Sequence, residues 1–449
     1  MTLENVVNKL EKTYVIATAQ YNSSANKQLL SSMDKYCITN NAEIIILPTT
    51  GKSISEDQIL SPELEIYKVI NKDYNLNNNL RIKDFGVRPQ QINPLTGLER
   101  FAQGDKSYIM PGTKQVLKYV ANSYDVIPKA IMTTGSITNP VYNTQHRIGR
   151  IAQQDHQYGF VVVEIENSST YHFRHVRAMK NGKFIDLGVQ YDGNKKPKKV
   201  VTEALIVGDL HPYDTNAKHE KNSFKQIGEF NPKAIFLHDT FNGKSISHHY
   251  KNHNIRKNEV ANEQGLNLED ELKYTNKAII KYADKTAGTV YIVASNHDEH
   301  LFRYLDEGRF IGDKHNDLIG SILYTQALQG VNPLEYGLNY VKKLPYNIKF
   351  LNRDEDFKIR GFQLAHHGDL GSNGGRGSPR SIEHANGKSI TGHSHSPLIT
   401  RNTYKVGTST NLRLDYNRGY SNWVNTNAVL YEDGSVQLLN TIKGSWKGK

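Results

Sequence analysis

The chain has 449 residues, 37% hydrophobic and 22% charged, enough for two domains of ordinary size with the balance of a globular protein in water. No apolar run approaches the ~18 residues of a membrane-crossing helix, the start Met1-Thr2-Leu3-Glu4-Asn5 lacks a signal peptide's apolar core, and the single cysteine, Cys37, excludes an internal disulfide framework and thiolate zinc sites. A net charge of +11 favours polyanionic partners such as nucleic acid or an anionic surface; with no apolar run no membrane partner is expected, and a cytoplasmic location is.

Residues 1–12 read as a short amphipathic helix. Tyr14 to Thr18 reads as a buried strand, Ser24 to Ile38 as a helix stopped at Asn40-Asn41, and Ile44 to Leu47 as a second strand closed by Pro48 and Gly51. This βαβ order predicts a parallel sheet. Residues 50–110 are polar and irregular, 114–123 predicts a helix, and Ala130–Thr133 and Phe160–Ile165 predict strands. Tyr171–Val176 and Lys183–Leu187 predict a hairpin turned by Asn181-Gly182. The run Lys195-Lys196-Pro197-Lys198-Lys199 reads as a solvated linker, with a DNA grip as its alternative. It divides an N-terminal α/β domain, residues 1–200, from a second domain, residues 201–449.

Beyond it the α/β order resumes. Ala204–Val207 predicts a strand ending at Gly208-Asp209, 217–229 a helix, Ala234–Leu237 a strand ending at His238-Asp239, 268–284 a helix, and Val290–Val293 a strand ending at Ser295-Asn296-His297. Each group of polar residues sits just past the carboxyl end of a strand, where open α/β sheets place their sites. The two halves share this order and the text Gly51-Lys52-Ser53 and Gly243-Lys244-Ser245. In that alignment Ala19 and Tyr21 occupy the slots of Asp209 and His211, and Pro48 falls near Asp239. The first half is then either a degenerate copy without a metal site, serving binding or assembly, or an unrelated βαβ unit.

Five fragments carry chemistry: Asp209-Leu210-His211, His238-Asp239, Asn296-His297-Asp298, His366-His367-Gly368 and Gly392-His393-Ser394-His395. A carboxylate can bridge two divalent ions, while neutral imidazoles and an amide carbonyl complete the shells without excess charge. Such a mixed set suits manganese, iron or zinc better than calcium or magnesium. Two ions ~3.5–4 Å apart can hold a hydroxide that attacks phosphorus, with a nearby imidazole serving the leaving group. A lone histidine is ordinarily structural. His248, His249 and His253 read as a solvated loop, with a place along the cleft as the alternative.

In this order the fragments resemble the five motifs of the calcineurin-like metallophosphoesterase superfamily, over roughly residues 203–440. The resemblance implies a four-layer α/β/β/α sandwich, here preceded by the smaller α/β domain. It implies one ion on Asp209, His211, Asp239 and His395, and a second on Asp239, Asn296, His367 and His393, with Asp239 bridging. It makes His297, beside Asp298, the catalytic histidine. Two divalent ions are expected, manganese first, with iron, zinc or magnesium as alternatives. Two positions depart from the pattern, His238 and Ser295, each in place of the usual glycine. Of the adjacent His366 and His367, the second precedes glycine and is preferred as the ligand, leaving His366 to face substrate.

The arginine-bearing motifs of the protein Ser/Thr phosphatases are absent. The Asn-His-Asp form is more similar to the DNA nuclease branch of the superfamily, the Mre11/SbcD type, and to small phosphodiesterases. Together with the basic charge and the extra domain, this points to a metal-dependent nuclease that hydrolyses phosphodiester bonds of DNA and forms a homo-oligomer. Arg376 in the glycine-rich stretch, and Arg303, Arg309 and Lys314 beyond the third motif, either grip DNA phosphates or are merely solvated. Richness in asparagine and tyrosine gives a phage-like impression, which would place the protein in a host cytoplasm. Two alternatives stay open: a phosphatase or phosphodiesterase of a small nucleotide-like ester, and a DNA-binding scaffold with a vestigial site.

Overall fold

Uninterrupted apolar runs such as Ala204-Leu205-Ile206-Val207 and Ala234-Ile235-Phe236-Leu237 are buried on both faces, the condition of a central parallel strand. A computed structural model describes residues 12–49, 58–123 except 103 and 105, 128–247, 267–414 and 417–447, with isolated positions between 248 and 266. The expected helix over residues 1–12, the Gly51-Lys52-Ser53 text and His248, His249 and His253 lie outside the described residues, apart from Lys12, which begins a strand. The chain is mixed α/β and divides into two compact units. One comprises Met1–Thr202, Ser396–Lys405 and Leu412–Lys449, and the other Glu203–His395 and Val406–Asn411. Residues 396–405 and 412–449, placed with the second half on sequence, group with the first unit.

In the first unit the strand Lys12–Gln20 runs parallel to Ala42–Thr49, joined by the helix Lys27–Asn40. The Asn26 side chain caps that helix by accepting from the Leu29 amide, and Asn41 ends it in the left-handed conformation. The sheet is mixed, because Gly159–Ile165 joins Lys12–Gln20 antiparallel. Tyr171–Arg177 pairs with Gly159–Ile165, and the expected turn on Asn181-Gly182 is present, Met179 N donating to Lys183 O and Gly182 N to Met179 O, but beyond it the pairing is a single bridge between Ala178 and Phe184. In the connection between Gly159–Ile165 and Tyr171–Arg177, the Asn167 carboxamide oxygen accepts from the Ser169 and Thr170 amides.

The helix predicted over 114–123 is instead the strand Gln115–Val120, paired antiparallel with Lys129–Thr134. Gln115, Leu117 and Tyr119 are buried and alternate with half-buried Val116, Lys118 and Val120, which is period two. Polar Gln115 fills a core position because its Nε2 donates to the carbonyls of Thr134, Phe160 and Val176.

In the second unit four parallel strands lie in the order Ile348–Leu351, Thr289–Val293, Ala234–Leu237, Thr202–Ile206. The helices Ala217–Phe230 and Leu268–Ala283 make two of the connections, each capped by an asparagine, Asn216 and Asn267. Phe236 stacks on Tyr291 across neighbouring strands at 4.9 Å between centroids. Parallel order sends the carboxyl ends of these strands to one edge, so the loops that follow Ile206, Leu237 and Val293 all leave from there. The last connection carries three helices, Asp298–Asp306, Asp317–Leu328 and Pro333–Val341. Short strands at Phe362–Gln363 and Ser389–Thr391, paired in parallel, deliver the two remaining histidine loops. Among the described residues no helix is long and apolar enough to cross a membrane.

Candidate metal centre

Each candidate ligand is set by a short loop that leaves a strand and turns sharply. His211, Asp239, His393 and His395 all have positive φ, at 37°, 47°, 70° and 54°. The loops are sewn together by main-chain bonds: Leu210 N to His238 O, His211 N to Asp239 O, and Gly392 N to His367 O, at 2.8–2.9 Å. Asp209 is held from the other side, its amide donating to Gly407 O and its carbonyl accepting from Ser409 N.

These turns bring the donors together. Asp239 Oδ2 lies 3.3 Å from His211 Nε2 and 3.3 Å from His367 Nε2. His395 Nε2 lies 3.1 Å from Asp209 Oδ2 and 3.2 Å from His211 Nε2. His393 Nδ1 faces Asn296 Oδ1 at 3.2 Å, and its ring meets that of His367 at 5.2 Å. Three groups of donor atoms lie within 4.8 Å of one another: Asp209, His238 and His367; His211, Asp239 and His297; and Asp209, Asp239 and His395.

The donor set fits cations better than it fits itself. Asp209 and Asp239 are buried, yet neither Asp209 oxygen nor Asp239 Oδ1 has a hydrogen-bond partner of good geometry. Buried carboxylate oxygens without donors are strongly destabilising unless positive charge compensates them. His211 Nδ1 lies 2.8 Å from Asn242 Oδ1, an acceptor, which puts its proton there and leaves Nε2 as a lone pair directed at Asp239 and His395. A divalent ion among these lone pairs would supply the missing charge.

The electrostatics agree. Burial alone would raise the Asp209 carboxyl, but the close approach of His395 and the nearby imidazoles hold it below its ordinary value. Burial would likewise raise Asp239, and His367, His297 and His211 pull it far down. His367 is the converse: burial disfavours its charge, yet Asp239 and Asp209 push it up to about 9. Without metal, the proton on His367 partly stands in for a cation. Burial lowers His297 to about 4, so it is neutral at pH 7. Its Nδ1 donates to the Asn242 carbonyl at 3.2 Å, leaving Nε2 as the atom that can take up or share a proton. Asp298 opens the helix Asp298–Asp306 and accepts from the Ser295 amide at 2.8 Å, and burial raises it to about 7.

The structure therefore brings Asp209, His211, Asp239, His367 and His395 into one cluster, with Asn296 and His393 paired beside it and His297 packed on His211 at 4.7 Å between ring centroids. His366 turns elsewhere, its Nδ1 3.4 Å from Asn386 Nδ2, which leaves His367 as the member of that pair inside the cluster. Arg303 and Arg376 are exposed, and Arg309 donates to the Ile246 carbonyl at 2.7 Å and pairs with Glu307.

Two contributors, Asn242 and Arg353, are not marked by the motifs, and one motif glycine has a steric role. Asn242 orients both His211 and His297, and its position three residues after Asp239 was the available signal. Arg353 grips Asp369 with two bonds at 2.9 and 2.6 Å and meets Glu299 at 3.1 Å, tying the His367 loop to the helix that begins at Asp298. Gly392 is required by contact: a Cβ there would come within 2.1 Å of Asp209 Oδ1.

No protein-family model matches the chain. Over an alignment of 490 residues, covering 99% of this chain and 84% of the other, it is 26% identical to Protein A1 of Escherichia phage T5. The chain thus has a phage relative. Among solved structures, Vps29 of Chaetomium thermophilum matches 40% of this chain and 99% of its own, at 9% identity and a TM-score of 0.25.

Proposed function

We propose that the second unit is a two-metal phosphoesterase of the calcineurin-like type, built as a four-layer α/β/β/α sandwich, and that it hydrolyses phosphodiester bonds of DNA. The observation that carries the reading is the convergence of Asp209, His211, Asp239, His367 and His395, with buried carboxylate oxygens that no protein donor satisfies. Asp209, His211, Asp239 and His395 would hold one ion, and Asp239, Asn296, His367 and His393 the other. Bound divalent ions supply a nucleophile at neutral pH and a clamp for phosphoryl oxygens. Manganese is the proposed metal, since imidazole and carboxylate together suit it.

The remaining steps belong to the chain's own groups. Asn242 orients the His211 lone pair and, through its carbonyl, fixes the His297 proton on Nδ1. His297 Nε2 is then the acceptor or donor beside the reacting phosphate. Net charge of +11 and the exposed Arg303 and Arg376 favour a polymeric anion as substrate. Self-association is part of the proposal, with binding or assembly assigned to the first unit.

Incubation with plasmid, linear and single-stranded DNA, and with p-nitrophenyl phosphate esters, in Mn²⁺ or EDTA, separates the readings. DNA cleavage that needs Mn²⁺ and falls at least 1,000-fold, on the order of loss of a catalytic unit, in Asp239→Asn is the expected result. Hydrolysis of the small esters alone would replace DNA by a small nucleotide-like ester.

A further inference from the structure

His238 precedes the bridging Asp239, at a position where the family pattern has glycine. Its ring is fully buried, and its Nδ1 lies 3.3 Å from Nδ1 of His367, itself 2% exposed. The other nitrogen of His367, Nε2, lies 3.3 Å from Asp239 Oδ2 and has no hydrogen-bond partner of good geometry. The two rings are tilted by 35° at 5.5 Å between centroids. The space for the His238 ring depends on Gly392, whose absent Cβ would stand 3.3 Å from His238 Cγ.

We infer that His238 is a positioning residue that accepts a hydrogen bond from Nδ1–H of His367 and so turns the His367 Nε2 lone pair toward the metal. The inference rests on the metal reading above. Two facing ring nitrogens share one proton between them, and a metal-ligating imidazole must keep its ligating nitrogen unprotonated. If His367 ligates through Nε2, its proton sits on Nδ1, and His238 Nδ1 must be the acceptor. The His238 proton then sits on Nε2, buried without a partner of its own. Metal-ligating histidines commonly donate their second nitrogen to a carboxylate, a main-chain carbonyl or water. Here a neutral imidazole takes that role.

Full-length wild type, His238→Ala and His238→Asn, stripped of metal and checked for folding by circular dichroism, would be titrated with Mn²⁺ by calorimetry and by counting bound ions. Wild type should bind two ions. His238→Ala should still bind two, one of them about 10–100-fold more weakly. His238→Asn, which keeps an acceptor close to the place of Nδ1, should recover most of that loss. Nitrogen NMR of the Zn²⁺-loaded wild type should find His367 protonated at Nδ1 and His238 at Nε2, a readout that needs no variant.

Equal affinities in wild type and His238→Ala overturn this inference alone. So do the opposite tautomers, or loss of one ion from His238→Ala that asparagine does not restore, which would make His238 a ligand. A wild-type chain that takes up no Mn²⁺ overturns the functional reading together with it.

Discussion

His211, Asp239, His393 and His395 sit in a backbone conformation that non-glycine residues seldom adopt, at a cost of order 1 kcal/mol each. The turn places each donor next to the others, and a cation bound there would offset the cost. Gly392 shows how closely the site is packed. Replacing it by alanine puts a methyl group 2.1 Å from Asp209 Oδ1, so the loop or the carboxylate must shift. Gly392→Ala should therefore weaken Mn²⁺ binding by roughly tenfold or more, the scale of losing a supporting contact, measured by ion titration. His367, raised to about 9 by Asp239 and Asp209, carries a proton at pH 7 when metal is absent. Metal binding at pH 7.5 should then release close to one proton from this residue, read from the dependence of the calorimetric heat on buffer ionisation enthalpy. Heats that do not vary with buffer would mean that His367 is already neutral.

The ligands depend on the elements behind them. Arg353 follows the strand Ile348–Leu351 and holds Asp369, two residues beyond His367, while also meeting Glu299. Burial disfavours the charge of this guanidinium, yet Asp369 and Glu299 raise it above its ordinary value. Arg353→Ala removes a bidentate, charge-assisted pair. It should lower the stability of the second unit by about 2 kcal/mol and increase amide exchange in the 367–377 loop, measured by denaturant unfolding and hydrogen exchange. Unchanged exchange in that loop would dissociate Arg353 from the site.

The second unit was largely legible because its strands are continuous apolar runs and its helices carry asparagine caps. Its motifs also fall at strand ends, where parallel topology must gather them. Arg353 was not legible, since its partner Asp369 lies sixteen residues away and nothing local marks the pair. The strand Gln115–Val120 was misread because a buried glutamine and a lysine stem occupy positions that periodicity reads as polar. The preference for His367 over His366 came from the glycine that follows it, and that glycine does have positive φ, 108°.

Across the whole molecule, buried histidines set the acid limit, among them two in the first unit and His297 in the second. Burial lowers His175 to about 4, with Nε2 on the Thr133 carbonyl, and lowers His156 to about 4, with Nε2 on the Thr138 carbonyl. An unfolded histidine titrates near ~6.5, so between pH 6.5 and 4 the unfolded chain binds protons that the folded chain refuses. Stability is complete above that window and falls as pH drops, by about 2 kcal/mol per histidine at pH 5. Asp186 extends the loss. Burial opposes its charge, but Arg174, at 2.6 and 2.8 Å, together with Gln437 and Tyr36, holds it below its ordinary value. Its contribution is present above pH ~4 and disappears as pH falls through the lowered folded value. Thermal unfolding of the metal-free chain should show a midpoint that declines steadily from pH 7 to 5. A flat profile would mean that the two histidines titrate as if exposed.

The proposed site holds two catalytic ions on Asp209, His211, Asp239, Asn296, His367, His393 and His395 and acts on DNA. The most direct measurement is metal content by mass spectrometry alongside Mn²⁺-dependent cleavage of plasmid DNA, for wild type and Asp239→Asn in the same preparation. Wild type should carry two bound ions and cleave DNA, and the variant should lose both while its fold persists. Equal cleavage by wild type and Asp239→Asn, or cleavage that continues in EDTA, would contradict it.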